Sequence, residues 1–185
     1  THDLNLGASI FSIKDDGPSI TTGNVGVADT LMVDETTLST DATANFADNF
    51  TSAINYGADG AGSTAYSLSL SSASVASGLY ALGTGAGVQG TEITMTQTGN
   101  TITGSAGGTD YFTIAINTST GVVTLNQLAA IYHANENDPD DSSTLATAIA
   151  SDLKLTATVT DADGDSVTHD LNLGASIFSI KDDGP

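Results

Sequence analysis

Apolar and polar residues alternate along most of the chain, and this period of two is typical of half-buried β-strands. Val, Ile, Leu and Thr are frequent in these segments, and Gly-containing turn signals lie between several of them, at 98–100, 106–108 and 119–121. The clearest strands are predicted at 66–70, 92–96, 111–116, 122–125 and 153–159, with 171–173 and 176–180 together forming the last one. The pattern predicts an all-β protein, an antiparallel immunoglobulin-like β-sandwich.

Helical spacing is confined to short segments. It predicts helical turns near 44–52 and 127–133, and a third within 144–151. The regular spacing of the strands favours one domain of about 165 residues. A division into two small sandwiches near 83–90 is the alternative.

The first 18 residues, THDLNLGASIFSIKDDGP, are repeated without a difference at 168–185. We therefore expect one repeat of a tandem array: residues 1–18 are the tail and linker of the preceding copy, and residues 19–185 are one sandwich repeat that ends in a linker. The alternative is a duplication introduced by cloning. The sequence leaves open whether residues 1–10 are ordered or pair with an exposed sheet edge of a neighbouring molecule.

The charge balance excludes several classes of partner. The chain carries 22 acidic residues against three Lys and no Arg, which gives a formal net charge of −19. A surface that neutralises phosphates cannot be built from three cations, so we expect no nucleic-acid partner. Direct membrane insertion is not expected either, because no apolar run approaches the roughly 20 residues that a spanning helix needs. The absence of Cys excludes disulfides and thiolate metal sites.

The sharpest acidic cluster is Asp161-Ala-Asp163-Gly-Asp165, which lies between two predicted strands and so at a hairpin tip. Three carboxylates at alternate positions, with a Gly that permits a tight bend, can converge on one Ca²⁺, which takes 6–8 oxygen ligands. The segment matches the start of an EF-hand loop, but Asn172 stands where the bidentate Glu is required, so we exclude an EF-hand. A solvated acidic turn is the alternative.

The second cluster is Lys14-Asp15-Asp16-Gly17-Pro18, which recurs as Lys181-Asp182-Asp183-Gly184-Pro185. It follows a predicted strand and ends in a Pro that cannot continue one, which is typical of a linker. Adjacent Asp side chains repel each other unless a cation bridges them, and a bridging Ca²⁺ would stiffen the joint between repeats. A flexible polar linker is the alternative.

The strand run 166–180 either spans about 45–50 Å as one straight strand or is broken at Gly174, and in both cases it separates the hairpin tip from Asp182 and Asp183. The tip can then meet only the N-terminal linker. We expect one Ca²⁺ site that joins Asp15 or Asp16 with the three tip carboxylates. In an array, Asp182 and Asp183 would meet the tip of the next copy.

The third cluster, at 136–141, contains Glu136, Asp138, Asp140 and Asp141. Two interpretations stay open: the cluster holds a second ion, or Asp140 and Asp141 cap a helix that begins at 142–144. The remaining acids near the strands, Asp34-Glu35 and Asp48, are interpreted as isolated.

Catalysis is not expected. His133 is the sole His outside the duplicated segment, and we expect it to pack at the end of an element. The sequence contains no Ser-His-Asp pattern and no G-x-S-x-G motif, and the paired carboxylates lie in linkers and a hairpin tip rather than in an evident cleft. The chain has no Trp that could stack against a sugar.

The run 155–165, LTATVTDADGD, followed by the Asp-Asp-Gly-Pro of 182–185, resembles the tandem repeats of giant RTX adhesins, which Gram-negative bacteria secrete through type I systems. The similarity extends from about Gly26 to Pro185 and includes the segments 33–36, 40–46, 56–60 and 138–141. The glycine-rich nonapeptide run of the RTX β-rolls is absent, so this is not the secretion region of such a protein.

The resemblance implies a Ca²⁺-stabilised β-sandwich extender that holds a distal ligand-binding domain away from the bacterial surface. Its expected location is extracellular, its expected partners are neighbouring repeats of the same chain, and the fragment is expected to be monomeric. The alternative is a ligand-binding module that contacts a sugar or a host surface through the loops at 57–62 or 83–90.

Overall fold

The computed structural model describes residues 2–3, 10–85, 87–135, 137–138 and 140–183. The fold is nearly all β, with curled and mainly antiparallel sheets, which confirms the all-β prediction. The described residues form fourteen strands: β1 Ser19–Ile20, β2 Leu31–Asp34, β3 Ala42–Asn45, β4 Ile54–Asn55, β5 Ala61–Leu70, β6 Val75–Leu82, β7 Gln89–Thr98, β8 Thr101–Ala106, β9 Thr109–Ile116, β10 Val122–Gln127, β11 Ser142–Ala146, β12 Leu153–Asp161, β13 Ser166–Asn172 and β14 Ala175–Lys181.

Four sheets are formed from these strands. The largest has six strands in the order β3-β10-β9-β8-β7-β6, all antiparallel to their neighbours. A three-stranded antiparallel sheet follows the order β13-β12-β5, and a short pair joins β1 to β4. In the remaining sheet, β14 lies between β11, to which it is antiparallel, and β2, to which it is parallel.

One hydrophobic core joins the six-stranded sheet to both three-stranded sheets. Strict alternation of burial along β12 turns Leu153, Leu155, Ala157 and Val159 inward, as the sequence pattern predicts. The segment 83–90, which we considered as a boundary between two sandwiches, is the hairpin connection of β6 to β7. Buried residues on both sides of it belong to the same core.

Of the two forms expected for the last strand, the one broken at Gly174 is found, because 166–181 forms two strands in different sheets. The chain crosses between the sheets at Gly174. A Cβ at this position would lie 2.7 Å from the carbonyl oxygen of Ala150, so only a glycine lets the crossing chain pass this close.

The helical turns are partly as predicted. Short 3₁₀ turns at Asp48–Phe50 and Ala150–Asp152 fall in or beside the segments 44–52 and 144–151. The predicted turn at 127–133 is wrong: the segment continues from β10 into an isolated bridge between Ile131 and Ala81. The part of the chain that the structure describes contains no helix with the length and apolarity to cross a bilayer.

Candidate metal centre

The hairpin that joins β12 to β13 closes around Asp161. The strands pair as far as Thr160 and Ser166, and the Asp161 N–H donates to the Asp165 carbonyl at 3.0 Å. Asp161 Oδ1 accepts the backbone N–H groups of Gly164 at 3.0 Å and of Asp165 at 2.8 Å. Gly164 has a φ of +109°, which a side chain would oppose. The DADGD segment therefore lies at a hairpin tip and folds back on its first carboxylate.

Asp161 is only 3% exposed, and while Asp163 is ionised the second carboxylate oxygen of Asp161, Oδ2, has no hydrogen-bond donor among the described residues. One oxygen of each tip carboxylate, Asp161, Asp163 and Asp165, lies within 4.8 Å of the others. A buried anionic oxygen without a donor is costly, so the geometry fits a cation at this point.

The N-terminal linker lies against the same tip. Asp15, Asp59 and Asp163 form a second group whose oxygens lie within 4.8 Å of one another, so Asp163 belongs to both groups. Asp16 is placed differently: its Oδ2 accepts the Ala58 N–H at 3.1 Å. A Cβ at Gly57 would lie 2.7 Å from the Asp16 carbonyl oxygen, which shows how closely the linker passes. The structure thus brings Asp15 to the tip and uses Asp16 to fix the linker backbone to the 57–62 loop.

Asp59 is a residue that the sequence analysis missed. We considered its segment, 57–62, only as a loop through which a ligand-binding module would contact a sugar or a host surface. The loop leads into β5, which pairs with β12 up to Ala61 and Asp161, and this pairing places Asp59 beside the tip. Asp59 could have been identified only from the pairing of β5 with β12, which the local sequence does not reveal.

The pKa values at the tip record the crowding of negative charge. The hydrogen bond with Asp161, together with burial and the charges of Asp15 and Asp161, raises the pKa of Asp163 to about 6. The charge of Asp15, then burial and the charge of Asp161, raise the pKa of Asp165. Burial acts to raise the pKa of Asp161, but hydrogen bonds with Asp163 and the tip backbone hold it below its ordinary value. A proton between Asp161 and Asp163, or a cation in its place, satisfies the buried oxygen.

The C-terminal linker lies in a different cluster. Asp182 is grouped with Glu35 and His133, whose ligand atoms all lie within 4.8 Å of one another. The interpretation of Glu35 as isolated is wrong, because its Oε1 accepts from the Gln127 side chain and the Ile131 N–H, each at 2.9 Å, and lies 3.3 Å from His133 Nε2.

His133 lies at the centre of this cluster, with its side chain almost fully buried. Its Nδ1 lies 3.1 Å from Asp141 Oδ1. Burial acts to lower the pKa of His133, but the hydrogen bond and charge of Glu35, with the charges of Asp182 and Asp141, raise it above its ordinary value. The cluster thus joins Glu35, which directly follows β2, to the loop before β11 and to the residue that follows β14.

Within the 136–141 cluster, Asp140 and Asp141 contact Lys181 and His133. Lys181 Nζ lies 2.7 Å from Asp140 and 3.9 Å from Asp34, and the Asp182 N–H donates to the Asp141 carbonyl at 2.9 Å. Of the two interpretations of this cluster, the helix capped by Asp140 and Asp141 is wrong, because β11 begins at Ser142 and extends the sheet with β14.

The other members of the predicted acidic clusters are less involved. Asp138 Oδ1 accepts the Asp140 N–H at 3.3 Å, and Asp183 is exposed, with its N–H donating to Asp182 Oδ1 at 3.0 Å. Glu136, Gly184 and Pro185 lie outside the described residues. The two ends therefore differ chemically: the tip groups contain carboxylates alone, whereas the C-terminal cluster contains His133 and borders Lys181.

A profile of a family described as a domain of unknown function (DUF5801) matches residues 30–174. No curated protein and no solved structure matches the chain. The matched segment contains Asp59 and the three tip carboxylates. Both copies of the Asp-Asp linker and all of β14 lie outside it.

Proposed function

We propose that this chain, which belongs to the DUF5801 family, is a structural extender repeat of a large extracellular bacterial adhesin and is stabilised by Ca²⁺. The resemblance of 155–165 and 182–185 to RTX adhesin repeats supports this proposal. Its partners are the neighbouring copies in a tandem array, and the ion lies where the linker from the preceding copy reaches the hairpin tip.

One observation carries the proposal: the buried Oδ2 of Asp161 has no donor and points to a need for a cation. Around it, Asp163, Asp165, Asp15 and Asp59 supply further carboxylate oxygens. Such an all-oxygen set is typical of hard cations, and Ca²⁺ tolerates the irregular arrangement of 6–8 ligands better than Mg²⁺, which requires near-octahedral geometry and retains its waters. Backbone carbonyls and water complete the coordination.

The mechanism follows from electrostatics. Without Ca²⁺ the tip carboxylates and Asp15 repel one another, so the linker is released from the tip. With Ca²⁺ the linker is fixed to the repeat that follows it, and an array of such joints becomes a stiff rod. Asp182 and Asp183 occupy the same positions in their copy of the linker as Asp15 and Asp16, so they serve the tip of the next repeat.

At the low Ca²⁺ concentration of the cytosol the chain is less stable and can be exported unfolded, and extracellular Ca²⁺ then completes the fold. Extracellular modules bind Ca²⁺ with Kd values of about 10⁻⁴–10⁻³ M. At about 5 mM Ca²⁺ such a site adds roughly 1–2 kcal/mol to the free energy of unfolding. For a domain of this size the midpoint of thermal unfolding rises by about 2–8 °C.

Thermal unfolding in EDTA, in CaCl₂ and in MgCl₂ tests the proposal. We expect a rise in the midpoint with Ca²⁺ that Mg²⁺ does not reproduce and that Asp161→Asn abolishes. Asp29→Asn is the matched control, because Asp29 is an exposed Asp outside both acidic groups, and it should retain the full rise. An equal midpoint in EDTA and Ca²⁺ would make the tip a solvated turn and contradict the proposal.

Rigidity needs a second measurement on two consecutive copies. Small-angle scattering should give a longer and narrower distance distribution in Ca²⁺ than in EDTA. Asp161→Asn in the second copy should remove this difference at the joint. Equal flexibility with and without Ca²⁺ would leave a stabilising ion but remove its role as an extender.

A ligand-binding module remains the second candidate, supported by an open groove of about 480 Å³ beside the 83–90 hairpin. Tyr111 is the one aromatic side chain among its described lining residues. The other loop that we considered, 57–62, is engaged by the linker. Ca²⁺-dependent binding on a glycan array, lost on Tyr111→Ala, would favour this function over that of a spacer.

A further inference from the structure

The duplicated segment occupies two different environments in one molecule. In the second copy, Phe178 and Ile180 of β14 are each 2% exposed and belong to the core. The equivalent residues of the first copy, Phe11 and Ile13, are 78% and fully exposed. The same side chains are therefore core residues at one end of the chain and an unpartnered apolar surface at the other.

The residues of β14 match the place that this strand occupies in the fold. β14 fills a gap between β11 and β2, which we call the β14 slot, and pairs with both strands. Its two apolar side chains pack against Leu79, Phe112, Leu125 and Leu145, which line the floor of the slot. Beyond them Lys181 reaches Asp140. Residues 10–14, which we call the arm, contain the same Ile, Phe, Ile and Lys in the same order.

We propose that the arm of one molecule fills the β14 slot of a second copy of this chain when the β14 of that copy is weakened. The arm supplies Phe11 and Ile13 to the core positions, and Lys14 reaches Asp140 of the acceptor. Since the donated strand and the strand that it displaces have identical sequences, every position of the slot receives the same side chain as before.

A molecule cannot use its own arm in this way. Asp15 follows the arm directly and lies with Asp59 and Asp163 at the tip. The equivalent residue after β14, Asp182, lies with Glu35 and His133. One linker reaches both clusters only if they belong to two different molecules. The exchange is therefore head to tail, and because this contact is heterologous it propagates into open chains rather than closing into a symmetric dimer.

Strand exchange does not require Ca²⁺, and its extent depends on how firmly the acceptor holds its own β14. An attached strand has a far higher effective concentration than a strand from another molecule, so the wild-type chain keeps its own β14 at ordinary concentrations. Exchange becomes the favoured state when β14 is weakened and the arm is intact.

The duplication provides its own matched variants. One chain carries Phe178→Ala and Ile180→Ala, a second carries Phe11→Ala and Ile13→Ala, and a third carries all four substitutions. Light scattering after size-exclusion chromatography, in EDTA and in Ca²⁺, gives the mass of each. We expect the first to form soluble oligomers of at least twice the 18.5 kDa monomer, and the second to remain monomeric. The fourfold variant should lose the oligomers.

Two outcomes overturn the inference: a first variant that stays monomeric, or a fourfold variant that assembles to the same degree, since that would be non-specific association. If the first variant is insoluble, refolding with a peptide of residues 1–18 decides. Recovery of soluble β-rich protein by this peptide, and not by its Phe11→Ala and Ile13→Ala form, supports strand exchange. Equal recovery with both peptides, or with neither, overturns it. A failure of Ca²⁺ binding would affect none of these results.

Discussion

Removal of the Glu35 carboxylate should lower the free energy of unfolding more than removal of most other charges in this chain. Its side chain is 4% exposed, and its Oε1 accepts two hydrogen bonds of 2.9 Å, from Gln127 and from the Ile131 N–H. Glu35→Ala leaves both donors buried and removes the partner of His133. An orphaned buried donor costs about 1–3 kcal/mol, and breaking a buried ion pair costs about 3–5 kcal/mol. These costs overlap, so we expect a loss of about 3–5 kcal/mol in total.

Glu35→Gln separates the charge from the hydrogen bonds. The amide keeps the volume and one acceptor, so the loss should be about 1 kcal/mol, the difference between a charged and a neutral hydrogen bond. Urea unfolding followed by far-ultraviolet circular dichroism gives both values, with an unchanged m-value. Glu92→Ala is the control, because Glu92 is half-buried and its side chain makes no hydrogen bond among the described residues; it should change the free energy of unfolding by less than about 0.5 kcal/mol. A Glu35→Ala loss as small as that of the control would refute the buried cluster.

Two further predictions concern pH and packing. Because the folded state raises the pKa of His133, the stability that its charge contributes is fully present below the unfolded pKa of about 6.5 and is lost as pH rises through the folded pKa. His133→Gln should therefore lower the free energy of unfolding more at pH 5.5 than at pH 9. An equal loss at both pH values would contradict this. Gly104→Ala should lower the free energy of unfolding, measured by chemical denaturation, by about 1–3 kcal/mol, because a Cβ there would overlap the Phe112 ring. Gly23→Ala is the control: its Cβ would meet no atom within 4 Å, so the substitution should be near neutral. Equal effects of the two substitutions would contradict the packing of β8 on β9.

Local patterns predict the parts of the fold that local interactions determine. Alternation along 153–159 identifies both β12 and its inward face, and the acidic run at 161–165 lies at a hairpin tip because its flanking strands are adjacent in sequence. The end of the last strand could not be predicted this way. Gly174 permits the crossing, but the sheet that receives β14 is determined by its pairing with β2, far away in the sequence.

The candidate site shows the same division. Asp161, Asp163 and Asp165 can be identified from spacing alone, and the linker Asp15 can be inferred from the duplication. Asp59 cannot be, because the pairing of β5 with β12 brings it to the tip. The contact between Glu35 and His133 joins residues 98 positions apart, so an acid that looks isolated in sequence proves to be a buried partner.

The central claim is that the linker and the hairpin tip share one Ca²⁺ site. Calorimetric titration of the chain with Ca²⁺, compared with Asp15→Asn and with Asp29→Asn as the control, tests this most directly. We predict that Asp15→Asn weakens binding at least about tenfold, a loss of about 1.4 kcal/mol, whereas the control binds like the wild type. Unchanged affinity in Asp15→Asn would mean that the ion does not hold the linker, and the account of a Ca²⁺-fixed joint would be wrong.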